Sequence, residues 1–190
     1  MARLAVALVH GPVLDRHGRL QTTALTNLDV HDIARSARTF GCAAFYIVTP
    51  VAAQQAQARA VVGFWEGEDG RRRNQDRADA LSLARVVATL DDAVAAESLA
   101  LGKPPLLVAT SAKQQGVVRY DELRRRLDAD DDGGALILLG TGAGMTQAML
   151  DRCALVLAPI VGPAADDGTH WNHLSVRSAA AIVLDRLRGS

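Results

Sequence analysis

Three short stretches of this 190-residue chain gather the residue types that chemistry on a small ligand needs. The first sets Thr110, Ser111 and Lys113 directly after the aliphatic run 106–109, where hydroxyls and an ammonium can meet a phosphate or a ribose. The second places Gly140, Thr141, Gly142 and Gly144 after the aliphatic residues 135–139. Glycines there serve a tight strand-to-helix turn, a phosphate loop, or close backbone approach to an adenosine, which needs amides and carbonyls rather than charge. The acidic residue that follows a dinucleotide-binding glycine loop by about twenty positions is missing, as is the Lys of a P-loop. A nucleotide-binding oxidoreductase therefore rests on the glycine run alone. The third stretch runs from Pro159, Ile160, Val161 and Gly162 through a polar loop to Asn172, His173, Leu174, Ser175, Val176 and Arg177. Ser175 is placed to cap the helix that follows. His170 and His173 stand three apart, but no third ligand follows at matching spacing, so no metal is expected.

Each stretch needs a strand to end at it. Short aliphatic runs at residues 4–9, 43–49, 106–109, 135–139 and 154–158 read as strands buried on both faces, stopped by Gly, Pro or polar residues. A further short strand fits residues 86–90. Helical spacing marks residues 28–40, 51–65, 91–101, 120–127, 146–152 and 175–188. Thr26 or Asn27 can cap the first of these, with Asp29 and Asp32 in its first turn, and Asp91 can cap the helix over 91–101. Residues 15–26 and the charged, glycine-containing segment 66–76 read as loops, and residues 77–88 as a helix leading into the strand. Buried strands alternating with helices imply a parallel sheet covered on both sides. No linker or repeat divides the chain, so one α/β domain over residues 1–190 is expected. Ligands of such sheets bind beyond the carboxyl ends of the strands, where all three stretches fall.

The 21 basic and 21 acidic residues cancel, so a polyanionic partner would have to be met by local patches. Arg124, Arg125 and Arg126 sit between Leu123 and Leu127 and read as the wet side of a helix. Arg71, Arg72 and Arg73 follow Gly67 and Gly70 and are the better RNA candidates. Trp65 reads as core, and Trp171, in a polar loop, as a residue able to stack on a base. Cys42 and Cys153 lie far apart among apolar neighbours and read as buried thiols of a reducing compartment. The apolar N-terminus reads as a first strand rather than a signal peptide, and no apolar run is long enough for a bilayer. A soluble, cytoplasmic protein with no membrane contact is expected.

The segment Thr26-Asn27-Leu28-Asp29-Val30-His31-Asp32, continuing through Arg35, Ala37 and Gly41, resembles the first motif of SpoU-type enzymes. Gly140 to Gly144 looks like their second motif. Ser175-Val176 before an Ala-rich helix looks like the third. Together with Gly140-Thr141-Gly142 and Asn172-His173-Leu174-Ser175-Val176-Arg177-Ser178-Ala179, these strings identify a SPOUT-type S-adenosylmethionine-dependent RNA methyltransferase, and the resemblance covers essentially the whole chain. It implies a C-terminal trefoil knot, a rare exception to the rule against threading, and a homodimer. It also implies a methyl donor, S-adenosylmethionine, held by Thr110, Ser111, Gly140, Thr141, Gly142, Ile160, Val161, Leu174, Ser175 and Val176. The substrate would be a nucleotide of tRNA or rRNA. Arg35, acting from the partner subunit, Asn172 and His173 would serve the acceptor side by accepting or stabilising its proton. Two positions depart from the pattern. Gly142 stands in the region where the second motif has Glu, and His173 stands two residues before Ser175, where the third motif has Asn. These departures motivate the alternative of a non-catalytic knotted RNA-binding module.

Overall fold

The aliphatic run near the N-terminus becomes β1 (Arg3–Val9), the strand around which the computed structural model is built. The structure describes residues 2–112, 118–130, 132–169 and 171–189. After β1 come a small hairpin, β2 (Val13–Leu14) and β3 (Leu20–Gln21), then α1 (Asn27–Thr39) and β4 (Ala44–Val48). Next are α2 (Ala52–Glu66), α3 (Glu68–Arg73), α4 (Gln75–Leu81), β5 (Ala84–Val87), α5 (Leu90–Leu101) and β6 (Leu106–Thr110). The chain closes with α6 (Tyr120–Ala129), β7 (Gly134–Gly140), α7 (Gln147–Leu150), β8 (Leu155–Leu157) and α8 (Val176–Arg188). Six of the strands form one sheet in the order β5-β4-β1-β7-β6-β8, and every pairing in it is parallel.

Residue alternation along the central strands feeds two cores. Val6, Leu8, Phe45, Ile47, Ile137 and Leu139 face one side, under α1, α2, α4, α6 and α8. Ala5, Ala7, Val9, Tyr46, Leu136 and Leu138 face the other, under α5 and α7. Parallel strands need cover on both faces because their crossovers put helices there, which accounts for the near-continuous aliphatic runs. Ile33, wholly buried on α1, illustrates the scale: truncating such a side chain to Ala costs about 2–5 kcal/mol. Glu97, a buried carboxylate of the second face, is paired, with Arg3 Nε at 2.7 Å and the Tyr46 hydroxyl at 2.8 Å.

Several local expectations change. Residues 66–76 are largely helical rather than loop: α3 carries Glu68 and Asp69 in its first turn and Arg71 to Arg73 in its last, the arrangement a helix dipole favours. Its glycine misleads as a turn signal. A Cβ on Gly70 would lie 2.4 Å from Phe64 O, so the residue is small to let α3 fold back on α2. The arginine triplet is therefore on a helix, where Arg72 pairs with Asp69 and Arg71 Nε donates to Glu66 O. The expected loop 15–26 contains β3, which pairs antiparallel with β2 just before it. The strand expected at 86–90 begins at Ala84, and α5 is capped by Thr89 in a capping box with Asp92, not by Asp91.

Candidate active site

The helix after β1, α1, packs on one face of the sheet, and the helix after β7, α7, packs on the other. Adjacent strands whose connections leave toward opposite faces open a crevice at their carboxyl ends. Here that crevice lies between Val9-His10 and Gly140-Thr141, since Val9 is in register with Gly140.

Hydroxyl groups line it. Thr141 Oγ1 donates to Val9 O at 2.8 Å and lies 2.6 Å from Thr23 Oγ1. Thr23 Oγ1 in turn lies 3.0 Å from Nδ1 of His10, a ring only 1% exposed. The main chain of residue 23 is held by its own N–H, which donates to His10 O, and by Gln54 Nε2, which donates to Thr23 O. Gln54 is positioned by Thr49 at the end of β4. Burial lowers the pKa of His10 below the ordinary imidazole range, with Asp29 opposing the shift.

The glycine loop is clasped by the hairpin. Leu14 N donates to Gly144 O and Ala143 N donates to Leu14 O. Gly142 has φ +63°, and a Cβ there would lie 2.8 Å from Leu14 O and 3.0 Å from Gln21 Nε2. A Cβ on Gly140 would lie 2.9 Å from Met145 Cγ. Both glycines are thus required by the chain's own packing. That requirement is separate from any contact their main chain makes with a nucleoside.

The other expected site residues come to the same edge. Thr110 closes β6 and its hydroxyl donates to Leu138 O of β7 at 2.9 Å. Ser111 follows it, half-buried. Asn172 Nδ2 donates to Ala112 O at 3.0 Å, drawing the last loop against the end of β6. Ile160 is half-buried and packs against the core below α1 and α8, whereas Val161 and Leu174 are exposed. Ser175 caps α8 by accepting from Ser178 N, and Val176 packs under the first turn. His173 is exposed, its ring centroid 6.0 Å from that of Trp171, which is 85% exposed and open to stacking. Lys113 and His170 lie outside the described residues.

Arg35 is exposed on α1. It lies about 9 Å along the helix axis from Asp29, at 1.5 Å per residue. No contact places it among the strand-end loops of its own chain among the described residues.

Sequence reasoning passed over three groups here: His10, Thr23 and Arg177. Arg177 joins the first turns of α8 and α1, with Nη1 3.0 Å from Asp29 Oδ1 and Nε 3.4 Å from Asp32 Oδ2. Its signal was present, an Arg in the first turn of a helix where cations are disfavoured, together with two acids in the first turn of α1. His10 stands where the first aliphatic run stops, just before Gly11-Pro12, and carries no other local signal. His31 packs edge-on against the buried Trp65, whose ring also carries the Arg77 guanidinium at 5.0 Å, so its surroundings are structural. Burial pushes the Cys42 thiol up to about 12 and the Cys153 thiol up to about 11, leaving both protonated at neutral pH.

Comparisons with known proteins bear on the family and the fold. An uncharacterized protein of Aquifex aeolicus (strain VF5) is 39% identical over 183 residues, covering 96% of this chain and 86% of that protein. A tRNA (guanine-N(1)-)-methyltransferase of Oleidesulfovibrio alaskensis is 39% identical over 186 residues, which is 98% of this chain but 42% of the relative, so the chain spans less than half of that protein's length. Among solved structures, the SpoU methyltransferase AviRb from Streptomyces viridochromogenes, in complex with its cofactor AdoMet, superimposes with a TM-score of 0.56 at 20% identity, covering 97% of this chain and 56% of that one; the likeness bears on the fold. The family model described as SAM-dependent RNA methyltransferase matches residues 3–189. By that match and by its identity to the Aquifex relative, the chain belongs to the S-adenosylmethionine-dependent RNA methyltransferase family.

Proposed function

We propose that this protein transfers a methyl group from S-adenosylmethionine to a nucleotide of tRNA or rRNA, as a knotted homodimer in the cytoplasm. One observation carries the reading beyond family membership: the Asn172–Ala112 hydrogen bond that holds the last loop against the end of β6, beside β7 and β8, with which β6 is paired. The groups offered there, Thr110, Ser111, Thr141, Ile160, Leu174 and main-chain atoms around Gly140, carry no formal charge. That suits a nucleoside without phosphates, and it suits a cationic sulfonium better than arginines would. When bound, the donor supplies an activated methyl group whose transfer is downhill, leaving the protein to position the acceptor.

In this reading Thr110 and Thr141 set the loops and the strand ends supply main-chain contacts. His173 and Trp171 flank the entrance, where an unpaired base can be stacked and hydrogen-bonded. Asn172 serves chiefly as a clasp between loops, since one amide N–H is committed to Ala112 O. Arg35 reaches the acceptor only from a second subunit, and the small-residue face of α8 beside α1 suits a helix-on-helix contact. Membership in the knotted superfamily supports the trefoil crossing of the last strands.

Calorimetry with S-adenosylmethionine, its demethylated product and NAD, followed by tritium transfer to bulk RNA from a deletion strain, tests the reading. Binding of the first two ligands and label in RNA are expected. Binding of NAD alone would overturn it. Cofactor binding without transfer would favour a non-catalytic RNA-binding module, the reading that Gly142 and His173 motivate by their departure from the SpoU motifs.

A further inference from the structure

The hydroxyl relay in the crevice fixes where the protons of His10 lie. Val9 O can only accept, so the 2.8 Å bond to it uses the single hydroxyl proton of Thr141. Thr141 Oγ1 must then accept from Thr23, across 2.6 Å. The other acceptor in reach of the Thr23 hydroxyl, His10 O at 3.4 Å, loses to the 2.6 Å contact with Thr141, so Thr23 accepts from His10 Nδ1, across 3.0 Å. His10 is therefore the Nδ1–H tautomer, and Nε2 carries a lone pair. That nitrogen is buried and has no hydrogen-bond partner among the described residues. An acceptor left so is costly and calls for an explanation.

Position supplies one. Val9 points to the α5 and α7 side, so alternation turns His10 to the α1 and α8 side, below the first turn that holds Asp29. Across the sheet edge the order is β1, β7, β6, β8. The loops assigned to the methyl donor follow β6, β7 and β8. His10 follows β1, about 5 Å from β7 and about 10 Å from β6 at the usual strand spacing, which places it at the edge of the donor site. The neighbouring occupant of such a crevice is the nucleotide that receives the methyl group.

We propose that His10 Nε2 accepts a hydrogen bond from an N–H or O–H group of the acceptor nucleotide in the crevice between the ends of β1 and β7, its tautomer set by the Thr23–Thr141 relay. This rests on the methyltransferase reading above. Nε2 lies on the ring edge away from Nδ1, so the nucleotide reaches it with the Thr23 contact kept, once the cover over the 1%-exposed ring on the α1 side moves. Thr23 and Thr141 act through His10 and are positioning residues.

The test compares wild type with His10→Asn, whose amide keeps a donor near the position of Nδ1 and has nothing at the position of Nε2. Long-range proton–nitrogen NMR of the imidazole in the free wild-type protein should show a protonated Nδ1 and an unprotonated Nε2; the opposite tautomer overturns the proposal, whatever the fate of the variant. The His10→Asn protein should bind S-adenosylhomocysteine within about twofold of wild type. It should transfer methyl to bulk RNA from a deletion strain at least about tenfold more slowly, the scale of one lost hydrogen bond. Transfer within twofold of wild type would overturn the role of His10 and leave the methyltransferase reading standing. A wild-type protein that binds S-adenosylhomocysteine and methylates no RNA would overturn both.

Discussion

Arg177 and Asp29 lie 148 residues apart in sequence and 3.0 Å apart in space, and their ion pair locks the start of α8 to the start of α1. The Asp29 carboxylate is 8% exposed and already accepts from the Thr26 hydroxyl at 2.7 Å. Removing the guanidinium leaves a nearly buried charge with a hydroxyl partner only. Arg177→Ala should therefore lower stability by about 1–3 kcal/mol, less than a fully buried pair because Arg177 is 30% exposed. Urea unfolding of Arg177→Ala, Asp29→Asn and the double variant would measure it. The double variant should be more stable than the sum of the two losses predicts; strict additivity would deny the coupling.

The glycine loop gives a second expectation. Gly142 combines φ +63° with a Cβ position 2.8 Å from Leu14 O, whereas Gly18 has φ +76° and open space. Gly18→Ala should cost about 1 kcal/mol, the strain of the backbone alone. Gly142→Ala should cost more, because the hairpin must also be pushed off the loop, and it should weaken S-adenosylmethionine binding. Equal thermal shifts for the two variants would show that the hairpin contact carries nothing.

The sheet was legible because buried parallel strands leave long aliphatic runs, as at residues 135–139, and each is followed by a Gly, a Pro or polar residues. Segment 66–76 was not, because Gly70 is small for a contact with Phe64 O that no local pattern encodes. The loops proposed for the cofactor side could be picked out from their glycines and from Asn172-His173-Leu174-Ser175, because they follow strands at one edge of the sheet. His10 was not, since its importance comes from Thr23 and Thr141, which lie 13 and 131 residues further along the chain. Such relays depend on which strands become neighbours, and β1 meets β7 only after the chain has crossed the sheet.

Two imidazoles should make stability depend on pH. Burial is the first cause lowering the pKa of both His10 and His31; Asp29 opposes it at His10, Arg77 and Arg35 reinforce it at His31, and Asp32 opposes it there. With folded pKa values below the ordinary 6.5, the unfolded chain binds more protons as the pH drops through that value. Stability should thus be fully present above about pH 6.5 and decline below it, down through the folded pKa values. Denaturant midpoints at pH 7.5 and 5.5 would check this, and His10→Asn should flatten the decline. A midpoint that rises on acidification would contradict the sign.

Arg35 offers the sharpest test of a shared active site. It is exposed on α1 and no contact joins it to the strand-end loops of its own chain among the described residues, so Arg35→Ala should change stability by no more than about 0.5 kcal/mol. It should nevertheless cut methyl transfer at least about a hundredfold if it stabilises developing charge from the partner subunit. Asn172→Ala, which frees the last loop from Ala112 O, should disable the other half of the site. Unfolding and refolding the two variants together yields mixed dimers with one site built from intact halves and one from damaged halves. In a two-fold dimer with random pairing, the mixture should recover about a quarter of wild-type transfer, although each variant alone is nearly inactive. Recovery of that size requires both the homodimer and the action of Arg35 across its interface. A mixture no more active than its components, together with light scattering that gives a monomer at micromolar concentration, would exclude both.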